Sequence, residues 1–228
     1  MARILEAYVG EYGSGKSEVA LNRALSFATT GTPIAVADLD LIEPCYTLKP
    51  LVERLKAFPL LKVIPNRVEG QIGVGETGNI LQPAVRWCLM QNENCIVDVG
   101  YGVDGYKALY LLEGYRKTPG LKIYVVMNAS RPMTLTVERM VVYIKTYERL
   151  DGMVNNTHLG DESSVDVALD GEEMLLEVEA KTGVPLIANT VWSEALNAGG
   201  AERFARPVWP MERYMPFGFW ETDDGIRR

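Results

Sequence analysis

The stretch Ile4–Ser17, ILEAYVGEYGSGKS in one-letter code, decides the fold of this chain. Its first half, Ile4–Val9, has the length and composition of a buried strand, and its second half, Gly10–Ser17, matches the pattern GxxxxGK[ST] in full. The residues that follow, Lys16–Thr29, carry apolar side chains at helical spacing. Strand, glycine-rich loop and helix in this order predict a loop whose backbone amides surround a polyphosphate. A purely structural glycine turn is the alternative, and the agreement of the three elements disfavours it.

The predicted binding site comprises this loop and the start of the helix. Lys16 would place a positive charge at the β- and γ-phosphates, and the Ser17 hydroxyl would bind Mg²⁺. The predicted nucleotide-binding residues are Gly10, Glu11, Tyr12, Gly13, Ser14, Gly15, Lys16, Ser17 and Glu18. The pattern therefore predicts a protein that binds a nucleoside triphosphate with Mg²⁺, and Lys16 is a predicted catalytic residue.

Short apolar runs alternate with longer amphipathic segments along the rest of the chain. The predicted strands are Ile4–Val9, Ile34–Ala37, Leu61–Pro65, Cys95–Val97, Ile123–Met127, Gly152–Asn155 and Pro185–Ala188. The predicted helices are Lys16–Thr29, Thr47–Phe58, Ile80–Met90, Tyr106–Arg116, Thr134–Leu150 and Glu172–Thr182. This alternation predicts an α/β fold with a mostly parallel sheet and helices on both faces, the three-layer sandwich of P-loop NTPases. We expect one domain over residues 1–228, with an aromatic and proline-rich tail over about 204–228 that docks over the sheet.

Carboxylates directly follow two of the predicted strands. Asp38 and Asp40 come after the second strand, and Asp98 comes after the fourth. Because ligands bind at the carboxyl ends of strands in an open α/β sheet, these side chains are expected beside the phosphate loop. Asp38 and Asp98 are predicted to bind Mg²⁺ together with Ser17, directly or through water. Asp40 is the predicted catalytic residue that orients the attacking water or accepts its proton; a cap or turn role is the alternative for any one aspartate.

With these pieces in place, the chain resembles the MinD/ParA-type branch of P-loop NTPases, within the SIMIBI class. The matching segments are Tyr8–Ser17, Ala37–Pro44, Ile96–Gly102 and Leu150–Asn156. Asp38-Leu39-Asp40 is similar to the first switch of that family, and Asp98–Gly102 is similar to its second switch. The resemblance implies a slow, Mg²⁺-dependent ATPase that changes conformation to regulate a partner protein, and it makes a homodimer a further expectation.

The resemblance also implies where the base of the nucleotide binds. Residues 151–156 resemble the strand whose terminal asparagine contacts the base in that family. On this register Asn156 is the predicted base contact, with Asn155 as second choice and Asn128 as a weaker candidate. A guanine-specific site usually shows the string [NT]KxD, which this chain lacks. Adenine is therefore favoured, and ATP is the predicted ligand.

Glu11 departs from the family pattern. Many ATPases of the family carry a second lysine just after the first glycine of the loop, and that lysine reaches the phosphates of a dimer partner. A glutamate at this place repels phosphate instead, so a dimer and a fast hydrolysis that depend on such a lysine are not expected. Two alternatives stay open: an ATP-dependent small-molecule synthetase or kinase of the same fold, and a GTP-using or non-hydrolysing nucleotide sensor.

Composition narrows the partners and the compartment. The chain has 30 acidic and 23 basic residues, a net charge of −7, which disfavours a nucleic-acid partner held by bulk charge. No apolar run approaches the roughly 20 residues that a membrane-spanning helix needs. The 3 cysteines without CxxC spacing and the single histidine disfavour a disulfide framework and a zinc site. These features predict a cytoplasmic protein.

Four weaker signals complete the sequence analysis. The GxGxxG match at Gly73–Gly78 is interpreted as a loop near the nucleotide rather than a dinucleotide fingerprint. Arg131, which follows a buried strand, either reaches phosphate or substrate or lies in solvent. His158 is interpreted as a loop residue rather than a catalyst. The aromatic tail forms a partner or substrate surface if it is not docked.

Overall fold

The centre of the protein is a parallel sheet, seen in a computed structural model that describes residues 3–41, 51–66, 81–197 and 199–215. The strands are β1 (Leu5–Gly10), β2 (Ile34–Leu39), β3 (Leu61–Ile64), β4 (Asn94–Val99), β5 (Lys122–Met127), β6 (Gly152–Asn155), β7 (Leu186–Trp192) and β8 (Val208–Met211). The 8 strands lie in the order β3-β2-β4-β1-β5-β6-β7-β8, and each neighbouring pair is parallel. The predicted fold class, an α/β protein with a parallel sheet, is confirmed.

Helices cover both faces of this sheet. They are α1 (Lys16–Thr29), α2 (Val52–Leu55), α3 (Pro83–Arg86), α4 (Gly102–Lys107), α5 (Val137–Ile144), α6 (Val165–Thr182) and α7 (Ser193–Leu196). Alternate residues of the strands enter two apolar layers, one packed against α1 and the other against α4, α5 and α6. Since β1 lies inside the sheet with both faces covered, the loop after it has a fixed place. No helix within the described ranges is long and apolar enough to cross a membrane.

Several sequence predictions lie partly or wholly outside the described residues. They are the end of the matching segment Ala37–Pro44, Cys45, the start of the helix Thr47–Phe58, the glycine-rich stretch Gly73–Gly78, the first residue of the helix Ile80–Met90 and the tail beyond residue 215.

The helix after β4 differs from its prediction. A helix was expected over Tyr106–Arg116, but α4 begins at Gly102, ends at Lys107 and is followed by a 3₁₀ turn over Ala108–Leu111. Two glycines near its start, Gly102 and Gly105, lower the intrinsic helix propensity of this segment. The close packing of Gly105 on the Gly100 carbonyl and the burial of Tyr106 in the apolar layer override that propensity.

Hydroxyl caps set the starts of the two longer helices that the sequence misplaced. The Ser164 side chain caps α6, which therefore begins well before the predicted start at Glu172. The Thr136 side chain caps α5, so this helix begins after the cap rather than at Thr134.

The described part of the C-terminal segment adds a strand to the edge of the sheet, and Tyr214 and Met215 after it pack against the apolar layer of α1. Val208–Met211 forms β8 and pairs in parallel with the last residues of β7, Asn189 to Trp192. Pro210, which has no backbone N–H, is tolerated because β8 is an edge strand. The chain thus gains a strand that its sequence pattern did not predict.

The side chain of Glu172 in α6 binds backbone amides at the start of this segment. The carboxylate is 4% exposed and accepts hydrogen bonds from the amides of Ala205 at 3.0 Å and Arg206 at 2.9 Å. It also accepts one from the side chain of Asn189 at 2.6 Å. Charge-assisted bonds of this kind are strong, and they fasten the approach to β8 onto α6.

We expect Glu172→Ala to lower the free energy of unfolding by about 2–3 kcal/mol, because two half-buried amides and the buried Asn189 side chain would lose their charged acceptor. Urea unfolding at neutral pH measures the change. Glu173→Ala is the matched control, since Glu173 is the next residue of α6 but is exposed; its effect should stay within about 0.5 kcal/mol. Equal stabilities of the two variants would contradict the anchoring role of Glu172.

Candidate functional site

The glycine-rich loop lies between β1 and α1 at the carboxyl edge of the sheet. Gly13 and Gly15 have φ angles of 69° and 81°, in the left-handed region that favours glycine. The first amide with a helical acceptor is that of Val19, which donates to the Gly15 carbonyl at 3.0 Å. The amides of residues 16–18 therefore have no acceptor within α1. The loop and the start of α1 therefore present free amides in the arrangement that favours an anion.

Two side chains hold the carbonyls of this loop. Arg131 Nε donates to the Gly13 carbonyl at 2.9 Å, and Asn156 Nδ2 donates to the Ser14 carbonyl at 2.7 Å. Asn156 comes so close that its Nδ2 would lie 2.1 Å from a Cβ on Gly15. Only glycine leaves room for this contact.

Asn156, predicted to contact the base, has both ends of its amide engaged. Besides its bond to Ser14, its Oδ1 accepts a hydrogen bond from Thr190 Oγ1. One N–H and one lone pair remain for a base, so the base contact stays a prediction. The alternative candidates Asn155 and Asn128 are 0% exposed and bond to neighbouring protein groups.

Three aspartates, Asp38, Asp40 and Asp98, lie together at this edge of the sheet, and Lys16 lies near Asp98. Asp38 and Asp98 are register partners on β2 and β4, so both face the layer that α1 covers. Asp98 is 1% exposed, and neither of its oxygens accepts a hydrogen bond from the described part of the chain. Burial raises the pKa of Asp98 to about 7, while the charge of Lys16 acts in the opposite direction. The neighbouring carboxylates Asp38 and Asp40 also raise it.

This donor set fits a hard divalent cation. The Ser17 hydroxyl lies near enough to the Asp98 carboxyl to lower its pKa, but neither oxygen of Asp98 makes a hydrogen bond of normal geometry with the described residues. Within the described ranges, no group of three or more His, Cys, Asp or Glu side chains is placed to hold a metal ion alone. A site built from one or two carboxylates and completed by phosphate and water oxygens is the arrangement that suits Mg²⁺.

Asp40 links the two segments that resemble switches. Its amide donates to Asp38 Oδ1 at 3.0 Å, and its own Oδ1 would lie 2.9 Å from a Cβ on Gly100. A side chain at position 100 would therefore collide with Asp40. The end of β2 and the segment after β4 are in direct contact at the predicted catalytic carboxylate.

Tyr101 lies beside the lysine of the loop. The Lys16 ammonium is 5.9 Å from the centre of the Tyr101 ring, and Tyr12 packs edge-on against the same ring at 5.6 Å. Glu11 bonds within the loop, since its carboxylate accepts the Tyr12 amide at 2.9 Å. Tyr101 belongs to the segment that resembles the second switch, where its sequence context leaves open whether it stacks on a ligand or packs within the protein; in the structure it packs against Tyr12.

Glu18 turns its side chain away from the loop, towards the C-terminal segment. Its carboxylate accepts hydrogen bonds from the amides of Tyr214 at 2.7 Å and Met215 at 3.0 Å. Burial raises the pKa of Glu18, and these two amides act against that rise. Any contact of Glu18 with a nucleotide would therefore come from its backbone amide.

His158 lies next to the loop, which its sequence context did not indicate. Its Nδ1 accepts the Gly160 amide at 3.3 Å, and its Nε2 would lie 3.6 Å from a Cβ on Gly15. Burial, together with the smaller effect of the Arg131 and Arg213 charges, lowers the pKa of His158 to about 4. We assign a neutral ring at pH 7 whose Nε2–H faces the loop.

A narrow cavity opens beside His158 at the carboxyl ends of β6 and β7. Asn156, Ser163, Thr190 and Trp192 are among its lining residues. The described lining offers amide, hydroxyl and indole groups but no carboxylate.

Similarity to solved structures agrees with this geometry. FtsY from Mycoplasma mycoides superposes with a TM-score of 0.57 at 13% identity, covering 82% of this chain and 60% of that chain. FtsY from Thermotoga maritima gives a TM-score of 0.54 at 14% identity, covering 85% and 63%. The signal recognition particle receptor FtsY from Elizabethkingia anophelis, in complex with GDP, gives a TM-score of 0.59 at 14% identity, covering 84% and 57%. The chain thus spans between 57% and 63% of the length of these proteins.

These likenesses show the class of fold. The protein has a parallel α/β fold of the P-loop NTPase type, which it shares with FtsY. No family model and no curated protein sequence matches the chain. The narrower resemblance to the MinD/ParA-type branch stays a prediction.

We expect the single histidine of the chain to titrate with a midpoint of about 4 in the folded protein. In urea the midpoint should return to about 6.5. Because the folded pKa is the lower one, the neutral ring stabilises the fold fully above about pH 6.5, and this contribution is lost as the pH falls towards 4. The proton resonances of the imidazole measure both midpoints. A folded-state midpoint near the unfolded value would contradict the buried, neutral ring.

Proposed function

We propose that this protein binds a nucleoside triphosphate with Mg²⁺ and hydrolyses it slowly, as a conformational switch that regulates a partner. The carboxylate of Asp98 carries this proposal, because it is buried beside Lys16 and the Ser17 hydroxyl and neither of its oxygens makes a hydrogen bond of normal geometry with the described residues. A buried carboxylate without partners is costly unless a cation completes its surroundings. Next to a loop of available amides, Mg²⁺ held between carboxylate and phosphate oxygens fits best.

The loop offers a group for each part of a polyphosphate. The amides of residues 16–18 would bind phosphate oxygens, and the Lys16 ammonium would neutralise the terminal phosphates. That ammonium is near the Tyr101 ring at 5.9 Å, a weak contact that phosphate can replace. Ser17, Asp38 and Asp98 would hold Mg²⁺, which when bound supplies further neutralisation of phosphate charge.

Asp40 is the residue we assign to the attacking water. Its carboxylate lies against Gly100, so it is placed where the two switch-like segments meet. A Cβ on Gly105 would lie 2.0 Å from the Gly100 carbonyl, which shows how closely α4 packs on this segment. A displacement of Gly100 by the terminal phosphate would therefore displace α4 as well. This close packing supports a switch that responds to the state of the nucleotide.

The choice of base is the finer part of the proposal, and we favour ATP. A guanine site usually supplies an acceptor for the hydrogens on N1 and N2 through the string [NT]KxD, which this chain lacks. GTP is the second candidate, because one structural neighbour is an FtsY in complex with GDP. Both nucleotides therefore belong in the same experiment.

We expect the unaltered protein to release phosphate slowly from ATP with Mg²⁺, and Lys16→Ala to abolish this release and weaken binding by about tenfold or more. Phosphate release and calorimetric titration, with ATP or GTP and with or without Mg²⁺, measure both effects. Lys62→Ala is the matched control, since Lys62 is exposed at the amino end of β3 and pairs with Glu93. It should behave as the unaltered chain.

Other outcomes of this assay favour the alternatives. Tight Mg²⁺-dependent binding without turnover would favour a sensor, and turnover stimulated by a metabolite would favour a synthetase or kinase. No binding of any nucleotide would refute the proposed function.

We expect Asp40→Ala to spare nucleotide binding and to lower turnover by about 10²–10⁴-fold, the usual contribution of a positioned acid or base. The binding constant and the turnover number measure the two effects separately. Asp170→Ala, at an exposed position of α6, is the control for removal of an aspartate. Unchanged turnover in Asp40→Ala would remove this residue from the catalytic role.

A further inference from the structure

Arg131 contacts the phosphate loop from the segment that follows β5. Its Nε donates to the Gly13 carbonyl at 2.9 Å, across a sequence separation of 118 residues. The carbon of its guanidinium group would lie 3.4 Å from a Cβ on Gly13. Arg131 therefore packs directly on the loop, and the glycine at position 13 gives it room.

The backbone that carries Arg131 is ordered by a buried asparagine. Asn128 is 0% exposed, and its Oδ1 accepts the Ser130 amide at 2.9 Å. Its carbonyl accepts the Arg131 amide at 3.1 Å and a hydrogen bond from the Thr134 hydroxyl. The backbone of Arg131 thus has a fixed place, so that contact with the loop orders only the side chain.

The charge of Arg131 matters because of Glu11. The loop contains one cation, Lys16, and one carboxylate, Glu11, so its formal charges cancel. The guanidinium group at Gly13 adds a positive charge in direct contact with the loop. The local balance becomes favourable to an anion again.

We infer that Arg131 is a positioning residue of the phosphate loop. Its bond to the Gly13 carbonyl fixes the Gly13–Ser14 peptide, as the bond from Asn156 fixes the next peptide, and its charge offsets that of Glu11. The inference rests on the proposed function, because it assumes that the loop binds a nucleoside polyphosphate. Because Arg131 orients the loop and does not contact the terminal phosphate, its effect on binding should be the same for a nucleoside diphosphate and a triphosphate.

The test compares Arg131→Ala, Arg131→Lys and a matched control, Arg139→Ala. Arg139 is exposed on α5 and donates to the Pro132 carbonyl at 2.6 Å, so it is an arginine of the same region without contact to the loop. Calorimetric titration with Mg-ATP and Mg-ADP gives the affinities, and thermal unfolding without nucleotide gives the melting temperature. If the unaltered chain binds only guanine nucleotides, Mg-GTP and Mg-GDP are used instead.

We expect Arg131→Ala to weaken the binding of both nucleotides by a similar factor, about tenfold or more, and to leave the melting temperature unchanged. Arg131→Lys should recover most of the affinity, because lysine keeps the charge and one donor. Arg139→Ala should bind as the unaltered chain does.

Three results would overturn the inference while leaving the proposed function intact. One is equal affinities for Arg131→Ala and Arg139→Ala. Another is a loss confined to the triphosphate, which would indicate a direct contact with the terminal phosphate. The third is a lowered melting temperature that accounts for the loss of binding, which would indicate a purely structural role. A chain that binds no nucleotide at all would overturn the proposed function and this inference with it.

Discussion

The amides of the phosphate loop can point together at an anion because hydrogen bonds to its carbonyl oxygens fix the orientation of its peptides. Gly13 and Gly15 give the backbone the left-handed angles it needs, and Arg131 and Asn156 hold the carbonyls of Gly13 and Ser14. These two side chains come from the ends of β5 and β6, so the shape of the loop depends on the order of the strands. These contacts form because β1 lies inside the sheet, with β5 beside it and β6 next to β5.

Burial decides the electrostatics of the neighbouring carboxylates. Lys16 attracts Asp98, yet the pKa of Asp98 rises to about 7, so the loss of hydration outweighs the attraction of the lysine. The register of β2 and β4 places Asp38 beside it and adds repulsion. In the free protein, burial and the neighbouring carboxylate thus disfavour the charged form of Asp98. A bound cation would stabilise that charge, so the packing of the sheet supports the proposed chemistry.

The C-terminal segment ties the far edge of the sheet to the phosphate loop. Glu172 holds its start, and Glu18 holds the stretch after β8. Glu18 directly follows Ser17, so the helix that presents the loop also receives the end of the described chain. The two glutamates hold this segment through backbone amides, which carry no signal in the sequence.

Local patterns in the sequence determined the fold class, the phosphate loop and the position of the aspartates. The loop is a contiguous string, and Asp38 and Asp98 follow apolar strands whose carboxyl ends must share one edge of a parallel sheet. Only the tertiary structure decided β8, the length of α4 and the contact of Arg131 with Gly13. Val208–Met211 has no alternating pattern, and it becomes a strand because β7 offers it a free edge. Periodicity and motifs report interactions between residues close in sequence, whereas these features depend on which distant segments the sheet brings together.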